Sequence, residues 1–259
     1  MRDESKREQL TQPRLQSVVS SAPRRMIPLH DDNPTSITPY VTVALIVACT
    51  VVFLWELALG PQGQQIVVYA LGVVPAVLFG HRELPPEIYA VPAGATVITS
   101  MFLHGGWLHL IGNMLYLWIF GNNVEDSMGH VRFIVFYLLC GVIAVFAHAL
   151  LNRNSTIPMI GASGAISGVL GAYVLLHPYA RVLVIIPLGI ILYPVRFPAL
   201  WVLGFWFGMQ LLSSLMADPN QPGVAFSAHI GGFVAGIVLI PLFKHRRVRL
   251  WAQPRYQRR

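Results

Sequence analysis

The sequence predicts an all-α polytopic membrane protein with six transmembrane helices, on three observations. Six windows of the 259-residue chain meet or nearly meet the roughly 20 apolar residues that a spanning helix needs. Only 11% of the residues are charged, where a soluble domain of this size carries about 25%. The 18 Lys and Arg residues are also segregated: six precede residue 26 and seven follow residue 243.

In chain order the windows are 40–59, 97–120, 131–151, 157–176, 198–216 and 226–243. The fourth and sixth are rich in Gly and Ala, so their assignment leans on their neighbours. Two further apolar stretches, 66–79 and 182–195, are shorter and broken by Pro75, Pro187 and Pro194, which fits interfacial or re-entrant segments. The first lies in the long connection 60–96, a length uncommon without structure or function of its own. Residues 1–36 are polar, rich in Arg, Gln and Ser, and have no signal-peptide core, so a disordered cytoplasmic tail is expected there. Residues 37–243 form the membrane domain and 244–259 a basic cytoplasmic tail. Cys49 and Cys140 both sit in apolar runs and read as small buried hydrophobes.

Six spans put both termini on one side. With the termini inside, sixteen of the 18 Lys and Arg residues fall on the inner side, and only Arg82 and Arg153 fall outside. The positive-inside rule then sets the orientation in a cell (inner or plasma) membrane, with both termini cytoplasmic. The charge is explained by membrane lipids, with the basic tail against anionic headgroups, and no nucleic-acid partner is needed.

In this topology the second, fourth and sixth spans begin at the outer face. Polar residues inside spans are costly and mark function by default. The second span carries His104, His109 and Asn113; the fourth Gly161, Ser163, Gly164 and Ser167; the sixth His229, Gly232 and Gly236. At 1.5 Å per residue, Ser163, His229, His109 and Asn113 share one layer just below the outer surface. His109 and Asn113, four apart, fall on one helix face; His104 falls elsewhere and is suited to ordering water or the loop. Gly232 and Gly236, facing Gly164, Gly168 and Gly171, let two helices approach closely enough for His229 to reach Ser163. His148 and His177 read as packed or helix-bridging residues.

A serine hydroxyl becomes an effective nucleophile when an adjacent base takes its proton, and His229 can supply that base. The Ser163 backbone N–H, the Asn113 amide and the His109 imidazole could then receive an oxyanion. No Asp or Glu lies in this layer, so the arrangement reads as a Ser-His dyad.

In their order along the chain these motifs, His104xxxxHis109xxxAsn113, Gly161-Ala-Ser163-Gly164 and Ala228-His229xxGly232xxxGly236, resemble those of the rhomboid intramembrane serine proteases in their compact six-helix bacterial form. The resemblance covers about residues 37–243 and includes 121–133, similar to the family's loop after the second helix. It implies a rhomboid-like bundle with Ser163 as nucleophile, His229 as base, His109 and Asn113 as oxyanion donors and His104 in support. It further implies transmembrane-protein substrates cut near their outer end, no cofactor and no metal. Substrate access is expected beside the fifth helix, with loop 218–227 as a movable cap. Some family members place an aromatic residue four positions after the nucleophile, beneath the histidine ring. Here Ser167 stands there, so the ring must be oriented by another residue or by a hydrogen bond to Ser167. Glu125 and Asp126 fall in the loop and read as bracing or capping groups.

Two other classes compete. A transporter or channel would carry intramembrane carboxylates or repeated halves, whereas the only span carboxylate is Glu56. A non-proteolytic, client-binding relative loses its motivation while Ser163 and His229 are both present. A metalloprotease lacks its HExxH motif.

Overall fold

The computed structural model describes residues 31–188, 191–216 and 223–252. Residues 1–30 and 253–259 of the two predicted tails, and residues 218–222 of the expected cap, lie outside these.

Helix α1 (Tyr40–Ala58) is apolar throughout and buries one stripe, Thr42, Leu45, Cys49, Phe53 and Glu56, at spacings of three and four. Its N-cap, Pro39, offers no side-chain cap. A carboxylate from another helix takes that role: Glu125 accepts from Val41 N–H at 3.0 Å, Thr42 N–H at 2.8 Å and Thr42 Oγ1 at 2.6 Å. Free N–H groups and the positive end of the helix dipole both favour a carboxylate there.

The connection after α1 has structure of its own. It forms α2 (Gly60–Leu71), α3 (Pro75–Leu78) and α4 (Thr96–Thr99), and Val73 bridges to Met159. Helix α5 (Trp107–Met128) starts ten residues later than its apolar window, because His104-Gly105-Gly106 forms a loop, and it ends later as well. Residues 121–128, read from the sequence as loop, continue this helix and bury Glu125 completely. The loop contracts to Gly129, whose φ of 81° favours glycine, and α6 (His130–Leu151) follows directly.

Helix α7 (Ser163–Leu176) is shorter than its window, since residues 157–162 are not helical. Its fourteen residues span only about 21 Å. Every residue from Gly164 to Val174 is buried, which is why this stretch reads as apolar all round. The region 182–195 departs from expectation: β1 (Arg181–Leu188) pairs antiparallel with β2 (Ile191–Pro198), from Arg181↔Pro198 to Leu188↔Ile191. Val182, Val184, Ile185 and Ile186 favour a strand, and the prolines are tolerated because both strands are edges.

Helices α8 (Ala199–Met216) and α9 (Phe226–Phe243) complete the fold. Among the described residues α1, α6, α8 and α9 are long and apolar enough to cross a membrane, by length and composition. Helices α5 and α7 occupy the other two windows.

Helices α7 and α9 pack backbone to backbone. A Cβ on Gly232 would collide with the Gly164 carbonyl, one on Gly236 with the Gly168 carbonyl, and one on Gly171 with the Phe233 carbonyl. Around this seam Phe120, Phe133, Phe136, Tyr137 and Tyr173 fill the core. Cys49 and Cys140 are buried and free.

The end of the bundle away from Ser163 is held by a polar network. Asn123 Nδ2 donates to Asp31 at 2.7 Å, Tyr173 O–H donates to the same carboxylate, and Asn33 Nδ2 donates to Asn123 Oδ1 at 2.8 Å. Asp31 and Asn33 are buried, so the segment expected to belong to a disordered tail docks onto the bundle from residue 31. His177 sits at the C-terminal end of α7, with Nδ1 3.2 Å from Asn33 Nδ2.

Adding one methyl at the α7–α9 seam should therefore be costly. Gly236→Ala is expected to lose at least about 1–3 kcal/mol through overpacking. Gly208→Ala on α8, where a Cβ meets nothing within 4 Å, should be neutral or slightly stabilising. Thermal unfolding of the two variants in detergent checks this, and equal midpoints would contradict the seam.

Candidate active site

Four helices bring polar residues to one end of the bundle. Helices α5, α7 and α9 begin there and α6 finishes there, which sets His109, Asn113, Ser163, His229 and His148 around a cavity of about 1320 Å³. Arg82 and Arg153 belong to this end. Arg132, Arg181, Arg196 and Lys244 lie at the helix ends or strands on the opposite side. Among the described residues these two groups of basic side chains are thus separated in space.

Ser163 is the first residue of α7, with its backbone N–H in the turn where helix N–H groups lack intrahelical acceptors. The glycine seam holds α9 close enough that Ser163 Oγ and His229 Nε2 stand 2.8 Å apart. The other ring nitrogen of His229, Nδ1, is 2.7 Å from Oε1 of Gln210 on α8. Trp206, one turn before Gln210, lies near the same ring at a centroid distance of 6.0 Å and a tilt of 31°. Ser167 does not orient the ring. Its hydroxyl donates to the Ser163 carbonyl at 2.7 Å, the back-bond a serine commonly makes within a helix.

Asn113 is buried on the cavity wall, and its Nδ2 has no hydrogen-bond partner among the described residues. A buried amide donor without a partner costs free energy unless something accepts from it. His109 accepts at Nδ1 from the Gly105 N–H at 3.3 Å, so its neutral form carries the proton on Nε2. That Nε2 faces the loop before Ser163, 2.7 Å from where a Cβ on Gly161 would stand. Gly161 adopts φ of 120°, so both its conformation and this close approach require glycine.

His104 is buried behind His109, with their rings edge to face at 5.2 Å. Its N–H donates to Glu56 at 3.2 Å, and its Nδ1 lies 3.1 Å from the Phe102 carbonyl. His104 and Glu56 together brace the loop that leads into α5. His148 bridges α6 to α9 through Ser227 at 2.8 Å, as a helix-bridging histidine would. The seam glycines Gly164, Gly232 and Gly236 act through packing. Among the described residues no three His, Cys, Asp or Glu side chains cluster so as to hold a metal ion.

Sequence reasoning missed Gln210 and Trp206, and left Glu56 without a role. A signal for Gln210 existed: an amide inside an apolar window is costly, and it lies four residues after Trp206, hence on the same face.

The Rhomboid domain family model matches residues 93–246, more than half of the chain. The chain is 32% identical to RHOMBOID-like protein 1 of Arabidopsis thaliana over 145 residues, 55% of this chain and 33% of that one. It is 30% identical to Rhomboid protein 1, mitochondrial, of Saccharomyces cerevisiae over 193 residues, 66% of this chain and 51% of that one. It is 34% identical to Presenilin-associated rhomboid-like protein A, mitochondrial, of Danio rerio over 175 residues, 63% of this chain and 42% of that one. The chain thus spans between one third and one half of these relatives' lengths.

Gly161→Ala should destabilise the fold by about 1 kcal/mol or more through its positive φ and turn the His109 ring away from Ser163. A crystal structure of the variant checks this. A His109 ring left in its present place in that variant would contradict the role assigned to Gly161.

Proposed function

The chain belongs to the rhomboid family, and we propose that it is an intramembrane serine endopeptidase with Ser163 as nucleophile and His229 as general base. Its substrates are other membrane proteins, cut near the outer end of a transmembrane segment. The observation that carries this reading is the 2.8 Å approach of His229 Nε2 to Ser163 Oγ at the wall of a cavity.

The chemistry follows from the donors and acceptors. As Ser163 Oγ attacks the scissile carbonyl carbon, its proton passes to His229 Nε2 and the carbonyl oxygen takes the negative charge. The Ser163 N–H, Asn113 Nδ2 and His109 Nε2–H are the donors proposed for that oxyanion. His229 then gives its proton to the leaving amine, the C–N bond breaks, and an ester to Ser163 remains. Water from the cavity, deprotonated by His229, hydrolyses the ester and frees the serine.

A substrate helix reaches the site with its backbone groups already bonded to one another, so its scissile segment must unwind. Segments with small or helix-weakening residues are favoured. Of α8, only Ala199 and Leu203 are buried, which suits lateral access beside it. The chain's six apolar windows, and the placement of the described Lys and Arg residues other than Arg82 and Arg153 away from the cavity, support a six-span topology. In it both termini are cytoplasmic, and the site faces the outer side of a cell membrane. No cofactor or metal enters this reaction.

Reconstituted cleavage of a generic transmembrane substrate tests the reading. Ser163→Ala and His229→Ala should each abolish cleavage while inserting normally. Asn113→Leu should lower kcat by about 10²- to 10³-fold, and strong chelators should leave the wild type active. Appreciable cleavage by Ser163→Ala, or loss to EDTA with recovery on zinc, would overturn it.

A further inference from the structure

We propose that Gln210 is a positioning residue for the Ser163–His229 pair: its amide oxygen accepts the Nδ1 proton of His229 and so keeps Nε2 free to take the proton of Ser163. The proposal rests on the protease reading above and supplies the part that a bare dyad lacks.

A neutral imidazole carries one N–H and one lone pair, so the partner of one ring nitrogen decides what the other can do. With Oε1 of Gln210 2.7 Å from Nδ1, the proton sits on Nδ1, and Nε2 presents its lone pair to Ser163 Oγ 2.8 Å away. In the opposite tautomer Nε2 would carry the proton and could not act as base. A carboxylate fills this place in Ser-His-Asp triads. Among the described residues the titratable groups that act electrostatically on His229 are His109 and His148, and neither is an acid. The Ser167 hydroxyl is engaged by the Ser163 carbonyl, which leaves Gln210 as the acceptor on Nδ1.

The placement of Gln210 on α8 has a mechanical consequence. Trp206 and Gln210, one turn apart, together set the plane of the imidazole and its hydrogen bond. Helix α8 meets α9 through the Trp206 and Phe207 contacts with Phe233, and of its residues only Ala199 and Leu203 are buried. A shift of α8 that admits a substrate also releases His229. Until α8 is seated again His229 lacks its Nδ1 acceptor, so proton transfer is slower while a substrate is being admitted.

The test uses the full-length protein in liposomes with a transmembrane substrate, comparing wild type, Ser163→Ala, Gln210→Leu and Gln210→Glu across pH. Gln210→Leu should lower kcat by ~10- to 100-fold with KM changed less than about 2-fold. This is less than the ~10⁴-fold lost when a triad carboxylate gives way to an amide that imposes the wrong tautomer. Gln210→Glu should retain activity, with the acidic limb of its kcat profile moved to higher pH, because a neighbouring carboxylate raises an imidazole's pKa. A merely structural role would not move that limb. If Gln210→Leu fails to fold, the Gln210→Glu profile decides. Wild-type kcat in Gln210→Leu, or an unmoved acidic limb in Gln210→Glu, would overturn the role of Gln210. Cleavage by Ser163→Ala would instead overturn the protease reading beneath it.

Discussion

Everything at the cavity depends on how closely the backbones of α7 and α9 approach. Gly164, Gly168 and Gly171 on one helix face Gly232, Phe233 and Gly236 on the other, with no room for a side chain between them. Small residues are what allow helices to meet in an apolar medium, where burial from lipid adds no hydrophobic driving force. The same seam sets the distance between Ser163 and His229. Ser163 is the residue before Gly164, His229 is three before Gly232, and the approach that makes the packing leaves their polar atoms 2.8 Å apart. Stability and the placement of the Ser163–His229 pair therefore share one interface.

The two ends of the bundle meet the cost of polar groups in opposite ways. At the end away from the cavity, one set of polar groups is matched within the protein: Glu125 caps α1, and Asp31, Asn33, Asn123 and Tyr173 bond to one another. At the cavity, Asn113 Nδ2 is buried with no protein acceptor among the described residues. The first arrangement specifies the fold. The second holds a donor at the cavity wall without a protein acceptor, at a cost to stability, which is what stabilising a transient negative charge requires.

Much of this was legible in the sequence, because apolar length, charge segregation and glycine spacing are one-dimensional records of membrane packing. Ser163, His229, His109 and Asn113 could be brought to one layer from helix direction and rise per residue alone. Helix ends were less legible: α5 starts at Trp107 because of the glycine loop before it and runs on through Glu125. The β1–β2 hairpin was missed because its apolar, proline-broken run has no period that separates it from a re-entrant segment. Gln210 was missed for a different reason. Its partner lies on another helix, and which face of α8 turns toward His229 is decided by tertiary packing.

On the proposed reading this seam makes Ser163 a nucleophile and His229 activates it. The most direct measurement is intact-protein and peptide mass spectrometry after exposure to a fluorophosphonate, which reacts with activated serine hydroxyls. A single adduct on Ser163 is expected in the wild type and none in His229→Ala. An unlabelled Ser163 in folded wild-type protein, or equal labelling in His229→Ala, would contradict that reading.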